Sequence, residues 1–128
     1  MGLLVAGAAV GEYGEAVSEE QEVLGRISDI AAEVLAMESG LLRAVKAMEV
    51  SGKEASKLKI DMVRVYVNDA MPRVHEYAAG ALAAVCSGKE LSEQLATLSA
   101  MTHVSPINII GLRRGIADKV IAAEKYVC

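Results

Sequence analysis

Residues 19–49 read EEQEVLGRISDIAAEVLAMESGLLRAVKAME, a stretch without proline that runs from Glu19 to Glu49. Its apolar residues recur at alternating spacings of three and four, which places them on one face of an α-helix. The predicted apolar stripe consists of Ile27, Ile30, Ala31, Val34, Met37, Leu41, Val45 and Met48. A helix of this length spans about 45 Å. It therefore needs partner helices of similar length to cover its stripe.

Both ends of this helix carry sequence signals. Ser18 is followed three residues later by Gln21, a spacing typical of a capping box, so we expect Ser18 to cap the first turn. Acidic residues follow directly, and they suit the positive end of the helix dipole. Ser51-Gly52 predicts the C-terminal end, because glycine commonly stops a helix.

The rest of the chain predicts further helices and no strand, since no alternating apolar pattern of any length occurs. Pro72 lies inside one of these segments, but the apolar stripe keeps its phase across it, so we expect one kinked helix. Ser105 and Pro106 are typical of the N-cap and first position of the last helix. The predicted segments are Leu3–Val17, Lys53–Ser87, Lys89–Thr102 and Ser105–Val127.

The pattern predicts an all-α, antiparallel bundle of four main helices plus a Gly/Ala-rich N-terminal helix, in a single domain over residues 1–128. In the N-terminal helix, Gly7, Gly11 and Gly14 leave one face nearly bare, which lets another backbone approach closely, so we expect a close-packed or half-ordered helix. A phosphate-binding loop is not indicated, because no strand precedes these glycines and their spacing fits neither a P-loop nor a dinucleotide fingerprint.

Composition excludes several classes of function. The chain has 53% hydrophobic residues but no Phe or Trp, and its formal net charge is −4. Scattered basic residues without interleaved aromatics argue against nucleic-acid binding. The uncharged N-terminal run, Met1 to Gly11, is too short to span a bilayer, which takes about 20 residues. We expect a soluble, cytoplasmic protein with reduced thiols at Cys86 and Cys128.

Glu38 interrupts the apolar stripe, and a buried carboxylate there would be a candidate general base. The alternatives are that Glu38 pairs across the bundle with an arginine such as Arg43, Arg64 or Arg113, or lies at the edge of the stripe. We favour these structural interpretations, because no nucleophile accompanies Glu38.

The remaining candidates are weak. His75 and His103 lack the Glu-x-x-His and His-Glu-x-x-His spacings of metal-binding helices, so no metal site is expected. Cys86 is a candidate redox thiol or, more commonly, a small buried residue, and Cys128 is expected to be solvated. A basic side of the last helix would hold a phosphate or an acidic partner, or remain solvated beside Asp118 and Glu124; it consists of Arg113, Arg114, Lys119 and Lys125.

Four strings together resemble one family. They are GLLVAGAA at residues 2–9, AMESGLLRA at Ala36–Ala44, VNDAM at Val67–Met71 and SPINIIGLRRGIADKVI at Ser105–Ile121. Their order and spacing resemble the extra C-terminal helical domain of bacterial acyl-CoA dehydrogenases of the long- and very-long-chain type. The resemblance extends to the Tyr126-Val127-Cys128 ending. Pro72, and Gly40 where alanine is usual, depart from the family pattern.

The resemblance implies a parent enzyme that uses FAD to desaturate fatty acyl-CoA in β-oxidation. The base and the flavin belong to a catalytic core, and no position here matches its motifs. We therefore expect no catalytic, cofactor-binding or metal-binding residue in this chain, and no activity from it alone. Expected partners are the catalytic core and further copies of the chain, as a homodimer or higher homo-oligomer.

Membrane contact is disfavoured, because no basic amphipathic segment is evident. A different class of function stays open beside this one. The aliphatic core, almost free of aromatics, would also suit a stand-alone bundle that binds a fatty acyl chain or acts as an interaction module.

Overall fold

The computed structural model describes residues 1–125, where all regular secondary structure is helical. The α-helices are α1 Gly2–Tyr13, α2 Gln21–Ala55, α3 Lys57–Val85, α4 Gly88–Thr102 and α5 Ile109–Ala123, and a 3-10 helix at Gly14–Glu19 connects α1 to α2. No strand occurs in residues 1–125. The predicted all-α class is confirmed.

The contacts divide the chain into two compact units. Unit 1 combines Met1–Leu35 with Met71–Val104, and unit 2 combines Ala36–Ala70 with the described residues from Ser105 onward. Helices α2 and α3 each contribute residues to both units. The single domain over residues 1–128 stays a prediction.

Unit 1 buries small aliphatic side chains from four helices, which lets the helices approach closely. The buried set is Val5, Ala9, Val23, Ile30, Val74, Ala78, Ala81, Leu82, Val85, Cys86 and Leu98. Arg73 pairs with Glu33 through two bonds, Nε to Oε1 at 2.6 Å and Nη2 to Oε2 at 3.0 Å. Arg26 lies 5.3 Å from the ring centroid of Tyr77. In these pairs the α3 number falls as the α2 number rises, so α2 and α3 run antiparallel here.

Unit 2 has a smaller buried core, in which Ala44 of α2 and Ala70 of α3 are buried. Gly40 faces Val63, because a Cβ placed on Gly40 would lie 3.4 Å from Val63 Cγ2. Helix α5 is held to α3 by Arg113, whose Nη2 donates to Asp69 Oδ2 at 2.6 Å. This contact gives α5 its position beside α3.

The predicted capping box at the start of α2 is wrong. Ser18 lies within the 3-10 helix, where its hydroxyl donates to the Glu15 carbonyl at 3.4 Å, and α2 begins only at Gln21. The physical reason is Gly14, whose φ of +57° ends α1 and forces a tight turn before α2 can begin. The N-terminal helix accordingly ends at Tyr13 rather than Val17.

Among the described residues, no backbone makes the close approach that the glycine face of α1 would allow. A Cβ placed on Gly7 or Gly11 would meet no atom within 4 Å among residues 1–125. These glycines therefore face open space.

The apolar stripe of α2 is turned relative to the prediction. Ile30 is buried and Met37 is half-buried, as expected, but Val34 and Leu41 are exposed. The buried positions of the helix are Val23, Ile30 and Ala44. Together with half-buried Met37 they are spaced seven residues apart, and the exposed side of α2 also carries apolar residues.

The predictions for α3 and α4 agree closely with the structure. Helix α3 continues through Pro72 as one helix, and apolar residues on both sides of the proline, Ala70, Val74 and Ala81, are buried.

The predicted stop signal of α2 coincides with a break in the helix. Gly52 has a φ of +79°, which interrupts the helical conformation, although helical residues continue to Ala55.

The predicted start of the last helix is wrong. Helix α5 begins at Ile109, and its cap is Asn108, whose Oδ1 accepts a hydrogen bond from the Gly111 N–H at 2.9 Å. Ser105 and Pro106 lie in the preceding connection. Asparagine is among the strongest capping residues, and here its side chain satisfies a free N–H of the first turn. The helix ends at Ala123, and the predicted end at Val127 lies outside the described residues.

Candidate functional site

Glu38 does not lie in a site that would suit a general base. Its side chain is exposed on α2, so the burial that the general-base interpretation requires is missing. Two of the arginines considered as its partners have others: Arg64 lies 3.7 Å from Asp61, and Arg113 binds Asp69. The structure therefore places Glu38 at the edge of the stripe.

His75 has a structural role between α3 and α4. Its Nδ1 lies 2.8 Å from Thr102 Oγ1, and the Thr102 hydroxyl donates its only proton to the Leu98 carbonyl at 2.8 Å. The hydroxyl oxygen must therefore accept, so His75 donates from Nδ1. His103 is exposed at the end of α4. Within residues 1–125, no group of three or more His, Cys, Asp or Glu side chains could hold a metal ion.

Cys86 is buried just after the end of α3. Burial raises the pKa of its thiol, and the negative charges of Glu90 and Glu12 raise it further. The neutral thiol is a poor nucleophile, so the environment is the opposite of that of a reactive cysteine. Cys128 lies outside the described residues.

The four basic residues that were predicted to form one side of the last helix differ in their contacts. Arg113 is bound to Asp69 and so helps to hold α5 against α3. Arg114, Lys119 and Lys125 are exposed and make no ion pair among the described residues. One predicted binding residue is thus structural, and the other three lie on a solvated face.

Unit 2 contains a groove between α2 and α3 that the sequence analysis missed. Its cationic part has a volume of about 630 Å³ and is lined by Gly40, Arg43, Ala44, Lys46, Ala47, Val50, Ser51, Lys59, Met62 and Val63. A second part of about 370 Å³ is lined by Ala36, Gly40, Met62, Val63 and Tyr66. Because both parts share Gly40, Met62 and Val63, we treat them as one α2–α3 groove.

The signal for this groove was only partly present in the sequence. Arg43 and Lys46 are three residues apart and so share a side of α2. Lys59 joins them from α3, after the chain has reversed at Gly52 and Ser56. Only the pairing register of the two helices brings these three cations to one groove.

Unit 2 also exposes an apolar surface on α2. Leu41, Leu42 and Val45 are 54%, 61% and 36% exposed. We call these three residues the α2 apolar surface. Patches of this kind on the side of a helix are typical of protein interfaces. Among residues 1–125, no helix combines the length and the apolar character that a bilayer crossing requires.

Comparison with known proteins gives consistent matches. The sequence profile of the family "Acyl-CoA dehydrogenase, C-terminal domain" matches residues 1–100. A "Probable acyl-CoA dehydrogenase" of Bacillus subtilis (strain 168) is 36% identical over 124 residues, which are 97% of this chain and 21% of that protein.

A solved structure matches as well. The crystal structure of an acyl-CoA dehydrogenase complexed with FAD from Bacillus anthracis superposes with a TM-score of 0.96 at 38% identity, over 99% of this chain and 22% of that one. The chain spans about a fifth of the length of these two relatives.

Proposed function

The chain belongs to the acyl-CoA dehydrogenase C-terminal domain family, and on that premise we propose that it is the non-catalytic C-terminal domain of an FAD-dependent acyl-CoA dehydrogenase of fatty acid β-oxidation. It packs against the catalytic core of that enzyme and supports the assembly of its subunits. The parent resembles the bacterial acyl-CoA dehydrogenases of the long- and very-long-chain type. Support comes from the relatives, one named as an acyl-CoA dehydrogenase and one crystallised with FAD.

The glycines of α1 do not form a phosphate cradle of the kind that FAD would need. The glycines that would be candidates for cradling its pyrophosphate, Gly7 and Gly11, lie inside α1. There the backbone N–H groups are used by the bonds of the helix itself, so they do not point at a ligand. This observation supports the proposal that the flavin is bound by another part of the parent enzyme. We therefore assign no flavin chemistry to this chain.

The α2 apolar surface is the observation that carries the assembly role. Leu41 and Leu42 are each more than half exposed in the isolated chain. Covering such side chains contributes favourable free energy in proportion to the area removed from water, at about 25 cal/mol per Å². Burial of the α2 apolar surface against the catalytic core therefore stabilises the packing of the two parts of the enzyme.

The first experiment is the mass of the native polypeptide in its source cells, detected with an antibody raised against this chain. A band several times heavier than 13.4 kDa supports the proposal, because the domain is then part of a larger enzyme. A band at 13.4 kDa overturns it and favours a stand-alone bundle.

The second experiment uses that native polypeptide with Leu41→Glu and Leu42→Glu together. We expect a smaller assembly in sedimentation velocity and weaker retention of FAD, because two charges cannot be buried against the core without a large cost. The matched control is Ile121→Glu on α5, a residue that is 71% exposed and lies outside the α2 apolar surface. Equal effects of the control and the double variant would contradict the assigned surface.

A further inference from the structure

We propose that the α2–α3 groove binds a single-chain amphiphile with an anionic head group, either a carboxylate or a phosphate. The site lies entirely in unit 2 and uses none of the three residues of the α2 apolar surface. It is therefore independent of the packing role proposed above.

The cationic end of the groove supplies the site for the head group. Arg43 and Lys46 line it from α2, and Lys59 lines it from α3. None of the three makes an ion pair among the described residues, whereas their neighbours Lys57 and Arg64 are both bound to Asp61. Among the described residues, no acidic side chain lines this part of the groove. Three unpaired cations in a chain of net charge −4 form a local positive field that attracts an anion.

The apolar end supplies the site for the tail. It is lined by small or apolar residues and by the Tyr66 side chain. Gly40 lines both parts and so lies at their junction, where a Cβ would be 3.4 Å from Val63 Cγ2. From Lys46 to Ala36 the helix rises about 15 Å at about 1.5 Å per residue, which suits an alkyl chain of medium length.

The combination distinguishes an amphiphile from other anions. An inorganic phosphate would contact the cations but leave the apolar part unused. Nucleic acid would need aromatic side chains for base stacking, and none of residues 1–125 that line the cationic part is aromatic. The cationic part alone, at about 630 Å³, lies within the range of small-molecule sites, which is about 300 to 1,000 Å³. A head group at the cations and a tail towards Tyr66 use both parts at once.

Calorimetric titration of the 128-residue chain tests the proposal. The probes are decanoate and decyl phosphate, each below its micelle concentration, with inorganic phosphate and uncharged decyl maltoside as controls. We expect saturable binding of at least one anionic probe, and the tighter of the two identifies the head group. Absence of saturable heat from both anionic probes, or equal binding of inorganic phosphate, overturns the proposal.

Two variants locate the site. Arg43→Gln, Lys46→Gln and Lys59→Gln together should weaken binding at least about tenfold, because three charge-assisted contacts are lost. The matched control, Arg114→Gln, Lys119→Gln and Lys125→Gln, makes the same change in net charge outside the groove and should leave the affinity unchanged. Equal losses in both triple variants would show nonspecific attraction and overturn the site.

A third variant tests the tail. Gly40→Leu should reduce the affinity for the decyl probes, because its side chain would occupy the junction of the two parts. Circular dichroism at 222 nm checks that each variant remains folded. Unchanged affinity in a folded Gly40→Leu chain would contradict the proposed path of the tail.

Discussion

Ser56 is a buried residue whose side-chain hydroxyl lacks a hydrogen bond. It is 1% exposed between α2 and α3, and its Oγ has no hydrogen-bond partner within residues 1–125. A buried hydroxyl without a partner destabilises the folded state, because it has lost its bonds to water. The Ser56 backbone carbonyl is hydrogen-bonded, since the Ile60 N–H donates to it at 3.0 Å. The loss of stability therefore arises from the side-chain hydroxyl.

Ser56→Ala should raise the free energy of unfolding by roughly 1 kcal/mol, because it removes the unpaired hydroxyl and keeps the backbone bond. Urea denaturation measures the change. Ser51→Ala, at an exposed position of α2, is the control and should have little effect. A loss of stability in Ser56→Ala would indicate a hydrogen bond that the structure does not show.

Cys86 should react slowly with iodoacetamide in a Cys128→Ser background. Burial and nearby acidic side chains raise its pKa, so at neutral pH the thiolate is rarer than for an ordinary cysteine. The folded state holds this proton more tightly than the unfolded state. Its contribution to stability is therefore complete below the usual pKa and is lost as the pH rises through the raised value.

The measurement is the alkylation rate against pH, with and without denaturant. We expect the folded chain to react more slowly, and its rate to rise at higher pH than that of the unfolded chain. Equal rates for folded and unfolded protein would contradict the buried, protonated thiol.

At the scale of the elements, the helix ends were harder to predict than the helices. Ser18 and Ser105 both had the sequence pattern of a cap, and neither caps the expected helix. A cap depends on the backbone conformation of one residue, and Gly14 and Asn108 changed that conformation locally. Helix interiors depend on many residues, so single errors there have little effect.

Asn108→Ala should lower the free energy of unfolding by about 1 kcal/mol, because the Gly111 N–H loses its acceptor. Ser105→Ala is the matched control and should change stability by much less, since Ser105 precedes the helix. Chemical denaturation compares the two. A larger loss of stability in Ser105→Ala than in Asn108→Ala would support Ser105 as the cap, as the sequence predicted.

Pro72→Ala should raise the free energy of unfolding by roughly 1 to 3 kcal/mol, because it restores the N–H that proline removes from the interior of α3. Pro72 is exposed, so no packed side chain is lost. Pro106→Ala, in the connection before α5, is the control. Thermal melting is the measurement, and a lower melting temperature for Pro72→Ala would mean that the packing of α3 requires the proline.

At the scale of the whole molecule, exposed apolar residues and net charge have opposite effects on the self-association of the chain. The α2 apolar surface favours association, whereas a net charge of −4 makes copies repel one another. Salt screens the repulsion and leaves the apolar attraction in place. The isolated chain should therefore associate more readily as salt concentration rises.

Sedimentation equilibrium of the 128-residue chain should show a dimer that strengthens between low and moderate salt. The Leu41→Glu and Leu42→Glu double variant should remain monomeric, and Ile121→Glu should behave like the unchanged chain. Association that weakens with salt would indicate contacts between opposite charges instead.

The sequence by itself determined the helical class, the approximate extent of α3 and α4, and the family, because these follow from local spacing and from the order of short motifs. It did not determine which side of α2 is buried. Both Ile30 with Ala44 and Leu41 with Leu42 are apolar, and local periodicity cannot rank two apolar sides of one helix.

Only the tertiary structure decided that choice. The antiparallel pairing of α2 with α3 places Gly40 against Val63 and leaves Leu41 and Leu42 in water. The same pairing brings Lys59 to Arg43 and Lys46, residues that lie on different helices. Contacts between elements distant along the chain depend on how the helices pack, and this is why the groove and the α2 apolar surface were not apparent before the fold was known.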